Sequence, residues 1–106
     1  MDDLLASFLP RFKAIAETRL ARCIEIATKR DHDNTQAVAR DLHALAGEAG
    51  LLGLADIVPL TRTCEEIASR LRSSRSDADA DALLAALGEL QRAIALVEPP
   101  GPPPER

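Results

Sequence analysis

The stretch Val38-Ala39-Arg40-Asp41-Leu42-His43-Ala44-Leu45-Ala46-Gly47-Glu48-Ala49-Gly50-Leu51-Leu52-Gly53 decides the fold. Val38, Leu42, Leu45, Ala49 and Leu52 step by 4, 3, 4 and 3, the narrow apolar seam of a helix packed on one side. The spacing predicts a helix over residues 35–50. Either Gly50 or Gly53 can serve as the helix-ending glycine. Upstream, Arg30-Asp31-His32-Asp33-Asn34 is a polar break of the kind that links helices, and Asp33 or Asn34 suits an N-cap.

The same periodicity recurs on both sides. Before the break, Phe8, Phe12, Ile15, Ala16, Leu20, Cys23 and Ala27 recur at helical spacing. Pro10 falls early in that run, and proline is tolerated in a first helical turn but not deeper. The expectation is a short N-terminal helix or turn, then a long helix starting near Leu9. After Gly53, a third helix carries Leu54, Ile57, Leu60, Cys64, Ile67, Ala68 and Leu71. If Asp56 caps it, Pro59 sits harmlessly in its first turn; if it begins at Leu54, Pro59 should bend it. Arg72-Ser73-Ser74-Arg75 is a polar link, and Ser76 with Asp79 approximates a capping box. A fourth helix over residues 77–97 has the seam Leu83, Leu87, Leu90, Ile94 and Val97. The run from Pro99 to Pro104 stops it, and a tail over 99–106 is too proline-rich to join a core. The fold class is therefore all-α: an antiparallel four-helix bundle over residues 1–98, with a short extra N-terminal helix or turn and a proline-rich flexible tail.

Composition agrees. The 106 residues include sixteen Leu and nineteen Ala against fourteen Val, Ile and Thr together, a balance that favours helix over sheet. The net charge of −4 leaves no basic excess to neutralise phosphates, so nucleic acid is not an expected partner. With no Trp or Tyr and two Phe, there is no stacking platform for single strands. No apolar run approaches the roughly 18 residues of a membrane span, and the acidic start Met1-Asp2-Asp3 is wrong for a secretory signal. Cys23 and Cys64 have no metal-like spacing and read as small buried hydrophobes. The default is a cytoplasmic protein with free thiols. No catalytic triad, metal-ligand cluster or phosphate-cradling loop is evident, so an independent enzyme is not expected.

The chemistry concentrates on His43. It follows Leu42, so it points about 100° away from the seam. The residues sharing its stripe, Ala39, Ala46, Gly47 and Gly50, are all small, where an exposed helix face would ordinarily carry long polar side chains. Gly47 is the sharpest signal, because a glycine inside a helix costs about 1 kcal/mol relative to alanine. One reason to accept that cost is close approach by another surface; the plainer one is tight packing of a neighbouring helix. His32, between Asp31 and Asp33, reads as a surface-turn residue.

The run His43-Ala44-Leu45-Ala46-Gly47-Glu48-Ala49-Gly50-Leu51-Leu52-Gly53 resembles the signature of histidine-containing phosphotransfer (HPt) domains: a His, a Gly four residues on, then small residues and a second Gly about ten after the His. The flanks 39–42 and 54–57, the helix order and the proline-terminated end resemble that family across nearly the whole chain. Many of its members carry Lys three residues after the His, where this chain has Ala46. Arg40, one turn before His43, is the nearest cation on the same helix. Glu48, at about 140° from His43, and Asp41 face away from it.

The resemblance implies a phosphoryl carrier rather than an enzyme. His43 would accept a phosphoryl group on Nε2 from an aspartyl-phosphate of a receiver domain and pass it to another receiver. Imidazole has an ordinary pKa near 6.5 and serves as a neutral nucleophile at pH 7, and phosphoryl transfer needs positioning and charge stabilisation above all. No metal site and no cofactor are expected in this chain; Mg²⁺ is expected on the partner receiver. Expected partners are receiver domains, a hybrid histidine kinase, or both, with Ala39, Arg40, Ala46, Gly47 and Gly50 as contact residues around His43. Four full helices predict a monomer. An alternative is a docking module that binds a receiver or kinase without carrying phosphoryl, because Ala46 weakens the site. A third reading, a histidine-kinase dimerisation fragment, predicts a stable dimer.

Overall fold

Four α-helices form among the described residues, 2–97 of a computed structural model, with side chains described from residue 7 on. They are α1 (Asp2–Thr28), α2 (Thr35–Leu51), α3 (Ile57–Ser74) and α4 (Asp77–Ala95), with a single 3-10 turn, His32–Asn34, before α2. Each helix packs on its sequence neighbours, α4 closes the ring against α1, and the diagonal pairs stay apart. The links are too short for anything but reversal of direction, so neighbours run antiparallel. The architecture is an all-α, antiparallel four-helix bundle.

The seams fill its centre. Leu20, Cys23, Leu42, Leu45, Cys64, Ala68, Leu83, Leu87, Leu90 and Ile94 are all buried. Burial pushes both the Cys23 and Cys64 thiols up to about 12, so they pack as apolar groups. Thr61 enters the core by donating its hydroxyl to the Ile57 carbonyl at 2.8 Å, which removes the penalty of a buried unpaired group.

The helix ends follow the sequence with exceptions that have physical reasons. Gly50 lies inside α2, and Gly53, at φ +73°, ends it. The Leu54 N–H donates to the Ala49 carbonyl at 2.9 Å and the Gly53 N–H to the Gly50 carbonyl at 3.1 Å, a Schellman closure that needs a left-handed residue at 53. Asn34 occupies the N-cap position of α2, but its amide donates to Asp31 instead of its oxygen capping the helix. Asp56 holds the N-cap position of α3 without a side-chain cap bond, and Pro59 sits in the first turn, where its missing N–H is no loss. Half of the box expected at α4 forms. Ser76 Oγ accepts from the Asp79 N–H at 3.1 Å. The Asp79 carboxylate is taken by Ser74 Oγ at 2.6 Å and Arg70 Nε at 3.1 Å, and the hydrogen bond from Ser74 first of all holds its carboxyl below the usual range.

Two expectations are corrected. Pro10 does not separate an N-terminal piece: α1 runs through it as one helix. Pro10 is exposed between buried Leu9 and Phe12, so its ring sits on the solvent side while its neighbours anchor the helix. Phe8 and Ile15, read as part of the buried stripe, are 42% and 43% exposed. They lie roughly 80–100° from the middle of the buried set of α1. The proline-rich tail lies outside the described residues.

Candidate functional site

The outer face where α2 meets α3 carries the candidate site. The seam of α2 turns Leu42 and Leu45 inward, which turns His43 out: its side chain is 74% exposed. Nδ1 of the ring lies 2.8 Å from Oε2 of Glu65 on α3. An ionised carboxylate only accepts, so Nδ1 is the donor, and the neutral ring then carries its lone pair on Nε2. Nε2 has no hydrogen-bond partner among the described residues. Glu65 is 24% exposed, which restrains its rotamers more than those of a free surface carboxylate.

The acidic residues of α2 that could oppose an anion on His43 are turned the other way. Asp41 pairs with Arg22 and Glu48 with Arg19, the latter at 2.9 Å, and both arginines belong to α1. These bridges cross the α1–α2 boundary, on the far side of α2 from Glu65. They neutralise the two carboxylates where they stand. Arg40, one turn before His43, is exposed and has no ion-pair partner among the described residues.

Gly47 settles the choice between close helix packing and an open approach. A methyl group added there would meet nothing within 4 Å among the described residues, and the same holds at Gly50. No helix of this bundle uses the missing side chain of Gly47. It opens a flat step on the solvent face, one turn from an exposed imidazole.

A family model, the Hpt domain, matches residues 7–98. The chain belongs to the Hpt family. No curated protein and no solved structure matches it significantly. An Hpt domain is a phosphotransfer module of two-component signalling, and Hpt domains interact with receiver domains and kinases. Among the described residues no helix is long and apolar enough to cross a membrane, and no group of His, Cys, Asp and Glu is arranged to hold a metal ion.

Of the expected contact residues in this Hpt domain, Arg40, Gly47 and Gly50 are exposed with His43, and Ala39 is half-buried. Ala46 is a correction: it is 2% exposed and offers a partner almost no surface. It lies about 60° from His43 toward the seam, and the bundle covers it there. Ala46 and Ala39 together make α2 thin where α3 packs, which brings Glu65 within reach of the ring. His32 lies in the turn before α2, at the end of the bundle where α1 gives way to α2.

Sequence reading missed two groups. Glu65 gave no signal, because its meeting with His43 depends on the register between two helices. The other group is an apolar shoulder on the α1–α2 side, about two turns beyond His43 along α2. Phe8, Phe12 and Ile15 of α1 and Leu51 and Leu52 at the end of α2 line a groove of about 410 Å³, and Leu51 is 84% exposed. Here a signal existed: Leu51 is nine residues from Leu42, about 180° opposite the seam, where leucine has no use in the core.

Proposed function

We propose that His43 is a phosphoryl carrier that takes its group from one receiver aspartate and gives it to another. One observation carries the reading: an exposed imidazole whose Nδ1 is held at 2.8 Å by Glu65, with Nε2 turned to solvent. In that tautomer the Nε2 lone pair attacks phosphorus in line. The N–P bond forms as the P–O bond to the receiver's aspartate breaks, and the carboxylate leaves with the electron pair. The ring gains positive charge in this step, and Glu65, still accepting from Nδ1–H, stabilises it, as a carboxylate does beside a general-base histidine. Transfer to a second receiver is the reverse: its aspartate oxygen attacks phosphorus and Nε2 leaves with the electron pair.

In this reading the divalent metal and the other catalytic groups belong to the receiver, which must therefore bring a recessed active site down onto His43. Gly47 and Gly50 keep the approach low. The apolar shoulder of Phe8, Ile15 and Leu51 gives the receiver a dry contact beside it, in keeping with the use of exposed apolar patches as interaction sites. The reading places the chain in the cytoplasm as a monomer, and a native mass equal to one chain checks the latter.

The test is transfer from a panel of phosphorylated receiver domains to the wild-type chain and to His43→Gln. Acid-labile label on the wild type and none on the variant is expected. A receiver that binds the bundle yet keeps its phosphoryl group would establish a docking module instead. Label that persists in His43→Gln would move the site elsewhere.

A further inference from the structure

The carrier reading leaves a charge problem at the site. A phosphoryl group brings a charge of about −1.5 to −2 at pH 7, and it would arrive on a ring whose other nitrogen already touches the Glu65 carboxylate. No cation on α2 follows His43: the next turn is Ala46, Gly47 and Gly50, and Ala46 is buried.

The register of the bundle points to a cation on α3. Because α2 and α3 are antiparallel and His43 meets Glu65, three residues forward on α2 and three residues back on α3 move the same way along the bundle, about 4.5 Å. That places Arg62 level with Ala46. Thr61 and Ala68 lie about 40° and 60° from Glu65 on the core side, and both are fully buried. Arg62 lies about 60° from Glu65 on the opposite side. It therefore projects through the face that His43 projects through, and it is exposed.

Arg62 also has nothing else to do. It has no hydrogen-bond or ion-pair partner among the described residues, while Arg19, Arg22, Arg30, Arg70 and Arg75 are all engaged with carboxylates. We propose that Arg62 is a phosphoryl-binding residue, supplying from α3 the positive charge that α2 lacks after His43 and pairing with the phosphoryl oxygens once Nε2 is modified. This rests on the carrier reading and adds to it a second helix that holds the cargo. Guanidinium suits the task, since its fork of N–H donors matches phosphate oxygens.

The test uses the whole chain modified at His43 with phosphoramidate, so no receiver is needed. The phosphorus NMR signal is titrated with pH in the wild type, Arg62→Ala, Arg62→Lys and Arg40→Ala. The expected result is that Arg62→Ala raises the midpoint of the phosphoryl titration by about half a pH unit, the threefold change typical of an exposed ion pair. Arg62→Lys should keep most of the wild-type value. The unmodified variants should unfold at the wild-type temperature, because Arg62 supports nothing in the unmodified bundle. Superimposable curves for wild type and Arg62→Ala, or a shift found only in Arg40→Ala, would overturn the proposal and leave the carrier reading intact. Failure of phosphoramidate to modify His43 overturns this proposal, and the receiver panel judges the carrier reading independently.

Discussion

Gly47 separates the demands of the fold from the demands of a partner, and substitutions there test both. Gly47 lies inside α2, exposed, and an added Cβ would meet nothing within 4 Å among the described residues. Gly47→Ala therefore removes backbone freedom from the unfolded chain without a clash. The helix-propensity difference of about 1 kcal/mol should appear almost whole as added stability. For a domain of this size that is a rise of about 4–8 °C in melting temperature, read by circular dichroism. Gly47→Arg should fold at least as well as the wild type, because arginine is a good helix former and its side chain leaves directly into solvent. Its receiver-to-His43 transfer rate should fall by more than tenfold, since a long side chain now stands one turn from the reacting nitrogen. The two readouts move in opposite directions, which no general loss of structure can imitate. A Gly47→Arg protein that folds and accepts phosphoryl at the wild-type rate would refute the close-approach argument. A Gly47→Ala protein no more stable than wild type would refute the assignment of this glycine to an open, regular stretch of helix.

Other outcomes follow from the same geometry. Glu65→Ala should move the His43 ring toward the Nε2–H tautomer, seen in nitrogen NMR shifts, and slow acceptance of phosphoryl about five- to tenfold, in line with loss of a hydrogen bond to a charged group at a half-open site; an unchanged tautomer ratio counts against its positioning role. Leu51→Asp should leave stability within about 0.5 kcal/mol, because the side chain is 84% exposed, yet weaken receiver binding at least fivefold in a titration; equal affinity would remove the apolar shoulder from the interface. The cysteines predict an alkaline loss of stability. Their native thiols are raised from 9.0 to about 12, so the native state holds protons that the unfolded chain releases; the contribution is whole below pH 9 and is lost as pH rises from 9 toward 12. At pH 10 this amounts to about 1.4 kcal/mol for each cysteine, measurable as a difference in denaturant midpoint between pH 7 and pH 10 that shrinks in a Cys23→Ala, Cys64→Ala double variant; an identical pH dependence in the two proteins would contradict it.

What could be read from the sequence divides along a physical line. Helix seams are local: Leu42 and Leu45 announce their burial by their own spacing, and so does the outward turn of His43. End signals are local only in part: the sequence offers Gly50 and Gly53 alike as the closing glycine, and the left-handed backbone at Gly53 decides between them. Pro10 misleads because its penalty depends on whether water reaches the carbonyl it strips, and that depends on which side of the helix the rest of the bundle covers. Asn34 and Asp79 sit at recognisable cap positions, but competing partners only a few residues away, Asp31 and Ser74, take their side chains. Phe8 and Ile15 belong to a stripe wider than the two neighbouring helices, α2 and α4, can bury, and no single helix reports where its neighbours stop. Glu65 and Arg62 were illegible for a further reason. Their roles come from the register of α3 against α2, which the Schellman turn at Gly53 and the packing of Ala39 and Ala46 fix jointly.

That register gives the small residues of α2 two functions that the sequence runs together. Gly47 and Gly50 are bare toward solvent, whereas Ala46 is covered and Ala39 half-covered by the bundle. The outward pair lowers the surface for a visitor; the inward pair lets α3 come close enough for a carboxylate to reach Nδ1 at 2.8 Å. A larger residue at 46 would push α3 away and loosen the grip on the ring, even if it brought a useful charge. On the carrier reading, a bundle that keeps alanine there draws its phosphate-binding cation from elsewhere, and α3, which already reaches the imidazole through Glu65, is the helix proposed to provide it.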